Sequence, residues 1–237
     1  MILNGVECEP YISCDDLLMR ECAADVVQGG QVLMHALGVD SCYVVVESDK
    51  PEALKSIGIA LAELDDPRLV LKQVPTIYPS GGEDQLVQLV ANREVPTGGL
   101  PGDVGCVVQN VGTAAAVHRW INNGEPLISR ITTVTGDGVA SPCNVRARLG
   151  TTLADVVAIA GGYTERARAM VIGGPMTGKS ISTDRVPLVK ATNCVLVLSA
   201  NPRDPRREAV HTLWRMRRGL SRPAAAATAV LVRMRRR

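Results

Sequence analysis

The sequence predicts an α/β layered domain joined to a small β-grasp module, on three observations. Strand-like and helix-like apolar segments alternate through most of the first two hundred residues, the pattern of a layered sheet-and-helix domain. Glycine, proline and capping residues stand at the junctions where that alternation needs them. From Pro126 the rhythm changes to two strands, a turn and one short capped helix, a β-grasp pattern.

Asn4 to Pro10 reads as a strand-to-loop turn held by Gly5 and Pro10. After Asp15 and Asp16, whose carboxylates suit the positive end of a helix dipole, residues 17–37 have helical spacing. Residues 42–46 form a short apolar strand, and Ser48 or Asp49 caps a helix that Pro51 opens and Leu64 ends. A second strand spans 70–74. Gly81 and Gly82 turn the chain into a helix over Glu83–Ala91, and a third strand, 105–111, precedes a helix over 113–122. Residues 127–134 and 144–148 are strands separated by glycines and Pro142. Thr151 or Thr152 caps the next helix, which runs to Ala160 and is closed by Gly161 and Gly162. Ala169–Ile172 and Cys194–Leu198 read as a closing strand pair. The expected organisation is a layered domain over 1–125, a β-grasp module over 126–165, a closing segment of the core over 166–200, and a tail over 201–237.

At 237 residues, with 46% hydrophobic residues, the chain can bury a sizeable core. It holds no apolar run of the roughly 18 residues that a membrane helix needs, and its start lacks a signal peptide's basic and apolar regions. A cytosolic protein is expected. The seven cysteines are odd in number and scattered, with no C-x-x-C pair and no histidine at zinc spacing, so buried reduced thiols are expected rather than a metal site. The charge is unevenly spread. Residues 203–237 carry eleven arginines against Asp204 and Glu208, a net of +9, while residues 1–202 carry 15 basic and 22 acidic groups, a net of −7. Such a tail reads either as a basic arm for nucleic acid or acidic lipid or as sequence foreign to the body.

Three motifs carry chemistry. Asn4-Gly5-Val6-Glu7-Cys8-Glu9-Pro10 gathers an amide and two carboxylates that can face ribityl hydroxyls or a nicotinamide. Ser80-Gly81-Gly82-Glu83 before a helix offers backbone amides to a phosphate or flavin. Gly173 to Ser180, GGPMTGKS, satisfies G-x-x-x-x-G-K-[ST], but the β-branched residues and Pro187 after it oppose the helix a phosphate loop must open. Only three histidines occur, none near a nucleophile elbow, so a hydrolase is not expected. His35 reads as a core histidine.

Taken together, NGVECEPYISCDDLLMRE, YPSGGEDQLV, REVPTGGLPGDVGCVVQNVGTAAAV, TVTGDGVASPCNVRARLGTTLADVVAIAGG and GGPMTG followed by VPLVKATNCVLVL resemble the C-subunit family of Rnf-type NADH:ferredoxin electron-transfer complexes over residues 2–200. That family is similar in turn to the flavin-bearing, NADH-oxidising subunit of respiratory complex I. The resemblance implies a flavoprotein-type layered domain with a soluble-ligand-binding β-grasp domain, FMN binding and electron exchange with NAD(H). It carries cofactor-binding roles onto Asn4, Glu7 and Glu9, onto Tyr78, Gly81 and Glu83, and onto Asn110 and Thr113. It also implies [4Fe–4S] clusters in the intact parent, the other subunits of the membrane complex and ferredoxin as partners, and a peripheral position on the cytoplasmic face of the plasma membrane. No catalytic side chain, protein metal ligand or nucleic-acid partner is expected.

Two departures follow from the same resemblance. The family carries G-R-G-G-A-G-F-P-T upstream of the N-G-x-E-C-E-P segment, and this chain is expected to be truncated before it. Beyond A-T-N-C-V-L-V-L the family continues into C-x-x-C-x-x-C-x-x-x-C-P runs. Here a one-base shift of codons that the tail residues permit restores that spacing, so a reading-frame slip is expected in the tail and the cluster ligands are absent from the chain. The alternative is a non-catalytic assembly or ligand-binding protein that uses the β-grasp module.

Overall fold

In the computed structural model, residues 1–199 are described; the arginine-rich tail and its expected frame slip lie outside them. The chain forms two compact units, one of Met1–Cys8 and Asp15–Leu127, the other of Glu9–Cys14 and the chain from Ile128.

The first unit is built on strands β1 (Ile2–Gly5), β2 (Cys42–Glu47), β3 (Leu69–Val74) and β4 (Val108–Asn110), with helices α1 (Cys14–Glu21), α2 (Ala23–Leu37), α3 (Pro51–Leu64), α4 (Glu83–Ala91) and α5 (Val111–Asn123). All strands are parallel, in the order β3-β2-β1-β4. A parallel sheet covered on both faces needs apolar residues on both faces, and β2 supplies them: Cys42, Val44, Val45 and Val46 are all fully buried. On one face Ile2, Val6, Val45 and Val74 meet Leu86 and Val87 of α4. On the other, α2 lies close, since a Cβ at Gly30 would come within 2.8 Å of Leu3 Cδ1. Its neighbour Gly29 lets α2 approach α5, where a Cβ would stand 1.9 Å from the carbonyl oxygen of Ala114.

The helix expected over 17–37 is two helices, because Cys22 leaves helical geometry at φ −130° and ψ 38°. One residue off the helix leaves the apolar spacing intact, so the pattern alone does not report the break. The third strand is shorter than expected. A 3-10 turn over Pro101–Val104 closes on Gly105 at φ 70°, and Asn110 caps α5 two residues earlier than the sequence suggested. His35 is exposed in the last turn of α2, beside the left-handed cap Gly38, and is not a core residue. Of the cysteines, Cys14, Cys42, Cys106 and Cys194 are buried and the others half-buried; burial pushes the Cys42 thiol up to about 12.

The second unit is a five-stranded sheet ordered β6-β5-β9-β7-β8, from β5 (Ser129–Thr135), β6 (Cys143–Arg148), β7 (Ala169–Ile172), β8 (Lys179–Ile181) and β9 (Cys194–Leu198). The β5–β9 pair is parallel and the others antiparallel. Helix α6 (Leu153–Ile159), capped by Thr152, packs Leu153, Val156 and Val157 with Val195 and Val197. Cys194 and Leu196 point to a second cluster with Ile12 and Val171. That two-sided burial is why CVLVL is an unbroken apolar run. Strands from both 126–165 and 166–200 hydrogen-bond into this one sheet.

GGPMTGKS is the turn of the β7–β8 hairpin. Lys179 lies exposed on β8, and a strand follows where a phosphate loop would open a helix.

Candidate functional site

Because β1 to β4 are parallel, their last residues, Gly5, Glu47, Val74 and Asn110, share one edge of the sheet. The chain runs outward from β1 to β2 and β3, then returns to the far side of β1 as β4. Such a reversal opens a crevice at the carboxyl ends of the strands, where doubly wound domains bind nucleotide cofactors.

Several of the expected residues stand on this edge. Asn4 turns the chain out of β1: its Oδ1 accepts from the Val6 amide at 3.0 Å, and its Nδ2 donates to the Gly81 carbonyl at 3.0 Å. Gly81 is required by the fit, since a Cβ there would lie 2.6 Å from the Val6 carbonyl oxygen and 3.1 Å from Cys8 Sγ. The loop ahead of α4 is thus pinned against the loop after β1. Helix α4 starts at Gly82 with no side-chain cap.

Glu7 is buried, and its carboxyl accepts from the backbone amides of Asp15 at 2.9 Å and Asp16 at 3.2 Å. Burial, with Asp15 beside it, raises its pKa to about 8 against the opposing pull of those amides. On the other side Asp15 Oδ2 accepts from Asn110 Nδ2 at 2.6 Å, while Asn110 Oδ1 caps α5 by accepting from Gly112 at 2.8 Å. Glu7, Asp15 and Asn110 therefore form one chain of contacts, and Thr113 sits half-buried in the first turn of α5.

The other expected residues are placed differently. Tyr78 is 36% exposed, and Glu83 lies exposed at the first position of α4. Glu9 belongs to the second unit, where its carboxylate accepts from the amides of Met176 and Thr177, each at 2.7 Å, and from Thr177 Oγ1 at 2.9 Å. Gly174 makes room for it: a Cβ there would stand 2.4 Å from Glu9 Cδ. Replacing Glu9 by Ala leaves two hairpin amides without their acceptor, with an expected stability loss of about 2 kcal/mol. Hydrogen exchange at Met176 and Thr177 measures it; protection unchanged from wild type would deny Glu9 this role.

One residue escaped the sequence reading. Glu47 ends the apolar run CYVVVE only 1% exposed, and among the described residues neither carboxylate oxygen has a hydrogen-bond partner. Burial and Asp49 push its pKa to about 7, with Lys50 and the Glu7 backbone amide lowering it only in part. The signal was present, since an acid closing a fully apolar strand is rare without a reason.

A parallel sheet whose carboxyl edge collects amides, buried acids and a glycine-led helix start has the build of a nucleotide-cofactor domain. The Nuo51 FMN-binding domain family matches residues 1–119 and the SLBB domain family residues 131–180. The chain belongs to the Nuo51 FMN-binding family, with an SLBB domain following. It is 49% identical over 196 residues to the C-subunit of the ion-translocating oxidoreductase complex of Pseudomonas aeruginosa, covering 83% of this chain and 25% of that protein. To the protein of the same name from Rhodobacter capsulatus it is 43% identical over 200 residues, covering 84% of this chain and 38% of that one. The chain thus spans about a quarter to two fifths of the length of these relatives, and the resemblance read from the sequence is borne out. Among solved structures, an NAD+-reducing [NiFe]-hydrogenase in its H2-reduced state aligns with a TM-score of 0.67 at 23% identity, over 91% of this chain and 42% of that one. Its air-oxidised state aligns with a TM-score of 0.68; both support the fold.

Proposed function

We propose that this chain is the flavin- and dinucleotide-binding part of the C-subunit of an ion-translocating oxidoreductase complex. In the whole protein, electrons pass between NAD(H) and ferredoxin through FMN and [4Fe–4S] clusters. The observation that carries the reading is the carboxyl edge of the β1–β4 sheet, where Asn4 is tied to Gly81, Glu7 is linked through Asp15 to Asn110, and the Glu47 carboxyl is buried without a hydrogen bond of ordinary geometry. Family membership supports the flavin and the relatives' names support the complex; ferredoxin as partner rests on the resemblance read in the sequence.

The residues present fit the cofactor. A buried carboxyl whose oxygens make no hydrogen bond of ordinary geometry suits a hydroxyl-rich ligand, and a helix start without a side-chain cap suits a phosphate. FMN, when bound, supplies the redox chemistry that side chains lack. The protein's part is to hold and orient. Gly81 and Glu83 flank the start of α4, Asn110 and Thr113 the start of α5, and Asn4 fixes the loop between them; Tyr78 stands exposed for a ring to meet. Glu7 is proposed to shape the nicotinamide side by holding the α1 amides, and the resemblance assigns Glu9 a cofactor role from the second unit, where it holds its hairpin.

Among the described residues no helix is long and apolar enough to cross a membrane. A peripheral place on the cytoplasmic face of the membrane complex, against its other subunits, is part of the proposal. The test is purification of the full chain with FMN under anaerobic conditions. Retained yellow colour that NADH bleaches is the expected outcome. A colourless protein that takes up no FMN would sink the reading and favour the assembly or ligand-binding role of the SLBB domain.

A further inference from the structure

The buried end of β2 carries one assignment more, which rests on the flavin and dinucleotide reading above. Successive strand residues alternate faces, so Glu47 shares its face with Tyr43 and Val45. Both belong to the cluster against α4, as does Val6 of the loop that Asn4 and Gly81 pin. Glu47 is therefore turned toward the α4 side of the carboxyl edge, with Glu7's backbone amide, Asp16, Asp49 and Lys50 as its electrostatic surroundings. It has the burial of a core residue, and although the Glu7 backbone amide draws its pKa down, neither oxygen has a hydrogen-bond partner of ordinary geometry among the described residues. Leaving such a group unsatisfied costs stability, so one that persists calls for a reason.

Nothing gathers a metal ion to it, since Glu47 joins no group of three metal-ligating side chains among the described residues. Nor does the chemistry call for a phosphate. The α1 amides of Asp15 and Asp16, the usual seat for one after β1, already hold the Glu7 carboxyl. What remains is a neutral ligand presenting two neighbouring O–H donors to a carboxylate. In a doubly wound sheet of order 3-2-1-4, the acid at the end of the second strand is placed to take sugar hydroxyls. We propose that Glu47 binds an adjacent pair of hydroxyls from the sugar part of the cofactor, either the ribityl chain of FMN or a ribose of NAD(H). Both sources offer the same chemistry to the same two oxygens.

The experiment is a pair of equilibrium titrations at pH 8, FMN and NAD+ separately, on the full wild-type chain, Glu47→Gln and Glu47→Ala, with the melting temperature of each ligand-free protein. A hydrogen bond to a charged group carries an affinity change of about ten- to a hundredfold. Loss of that size for FMN alone assigns the ribityl chain, and for NAD+ alone a ribose, in each case with a ligand-free Glu47→Gln protein that melts no lower than wild type. Equal affinities across the three proteins for both ligands overturn the assignment of Glu47 and leave the flavin reading standing. A Glu47→Gln protein that melts lower than wild type while binding as tightly makes the residue structural, and also overturns it. Wild-type protein that binds neither ligand removes the flavin reading and this assignment together.

Discussion

Glu47→Gln is expected to make the protein about 3 kcal/mol more stable than wild type at pH 8 and to leave the two equal near pH 4. The carboxyl of Glu47 titrates at about 7 in the folded chain against 4.5 as its ordinary value, first because of burial and then because of Asp49. The folded state therefore keeps the proton longer than the unfolded state. Its contribution to stability is complete below pH 4.5, drains away as pH rises toward 7, and is gone above that. Glutamine has no proton to lose, so its curve lacks this fall. Neighbouring Asp16, Asp49, Lys50 and Glu7 remain in both proteins, and the difference between the curves isolates Glu47. Denaturant unfolding from pH 4 to pH 8 measures it; parallel curves would mean that this carboxyl is not desolvated as described. Glu7, with its pKa raised to about 8, adds a fall of the same sign to both curves.

A methyl group at Gly29 is expected to cost about 3 kcal/mol, lowering the melting temperature by about 6–12 °C for a chain of this size. Alanine is ordinarily the better helix former by about 1 kcal/mol. At Gly29 that gain is overwhelmed, because the Cβ would meet the carbonyl oxygen of Ala114 at 1.9 Å and its carbon at 2.4 Å. Both are backbone atoms of α5 and cannot swing aside, so α2 and α5 must separate and open the core between them. Gly58 of α3 is the control. Its nearest neighbour to a new Cβ is Leu71 Cδ2 at 4.0 Å, so Gly58→Ala is expected to raise the melting temperature. If thermal melts show both variants moving the same way, the close approach of α2 to α5 is not as described.

Where local chemistry decides an element, the sequence carried it. Helix α4 begins and ends as read because a glycine pair precedes it and Asn92 closes it in the left-handed conformation. Strands β7 and β9 were legible as short apolar runs. β8 was not, since Lys179 and Ser180 are exposed on a sheet edge and show no apolar alternation. Of the candidate site, the amides and glycines were legible because turns require them. The partners of the acids were not. Glu7 and Glu9 are two residues apart and read as one cluster, yet one holds the α1 amides and the other a hairpin 167 residues further along the chain. The burial of Glu47 depends on which loop β1 sends past the end of β2, and that is a property of the assembled sheet.

The six residues Glu9–Cys14 belong to the second unit although the chain on either side of them belongs to the first. They bring Ile12 to the cluster of Val171 and Leu196, and Glu9 to the β7–β8 hairpin. The C-terminal unit therefore cannot be transplanted as one stretch of gene. A graft cut at residue 128 would arrive without the apolar lining of one sheet face and without the anion that holds its hairpin; a portable version has to carry the 9–14 segment on a linker of its own.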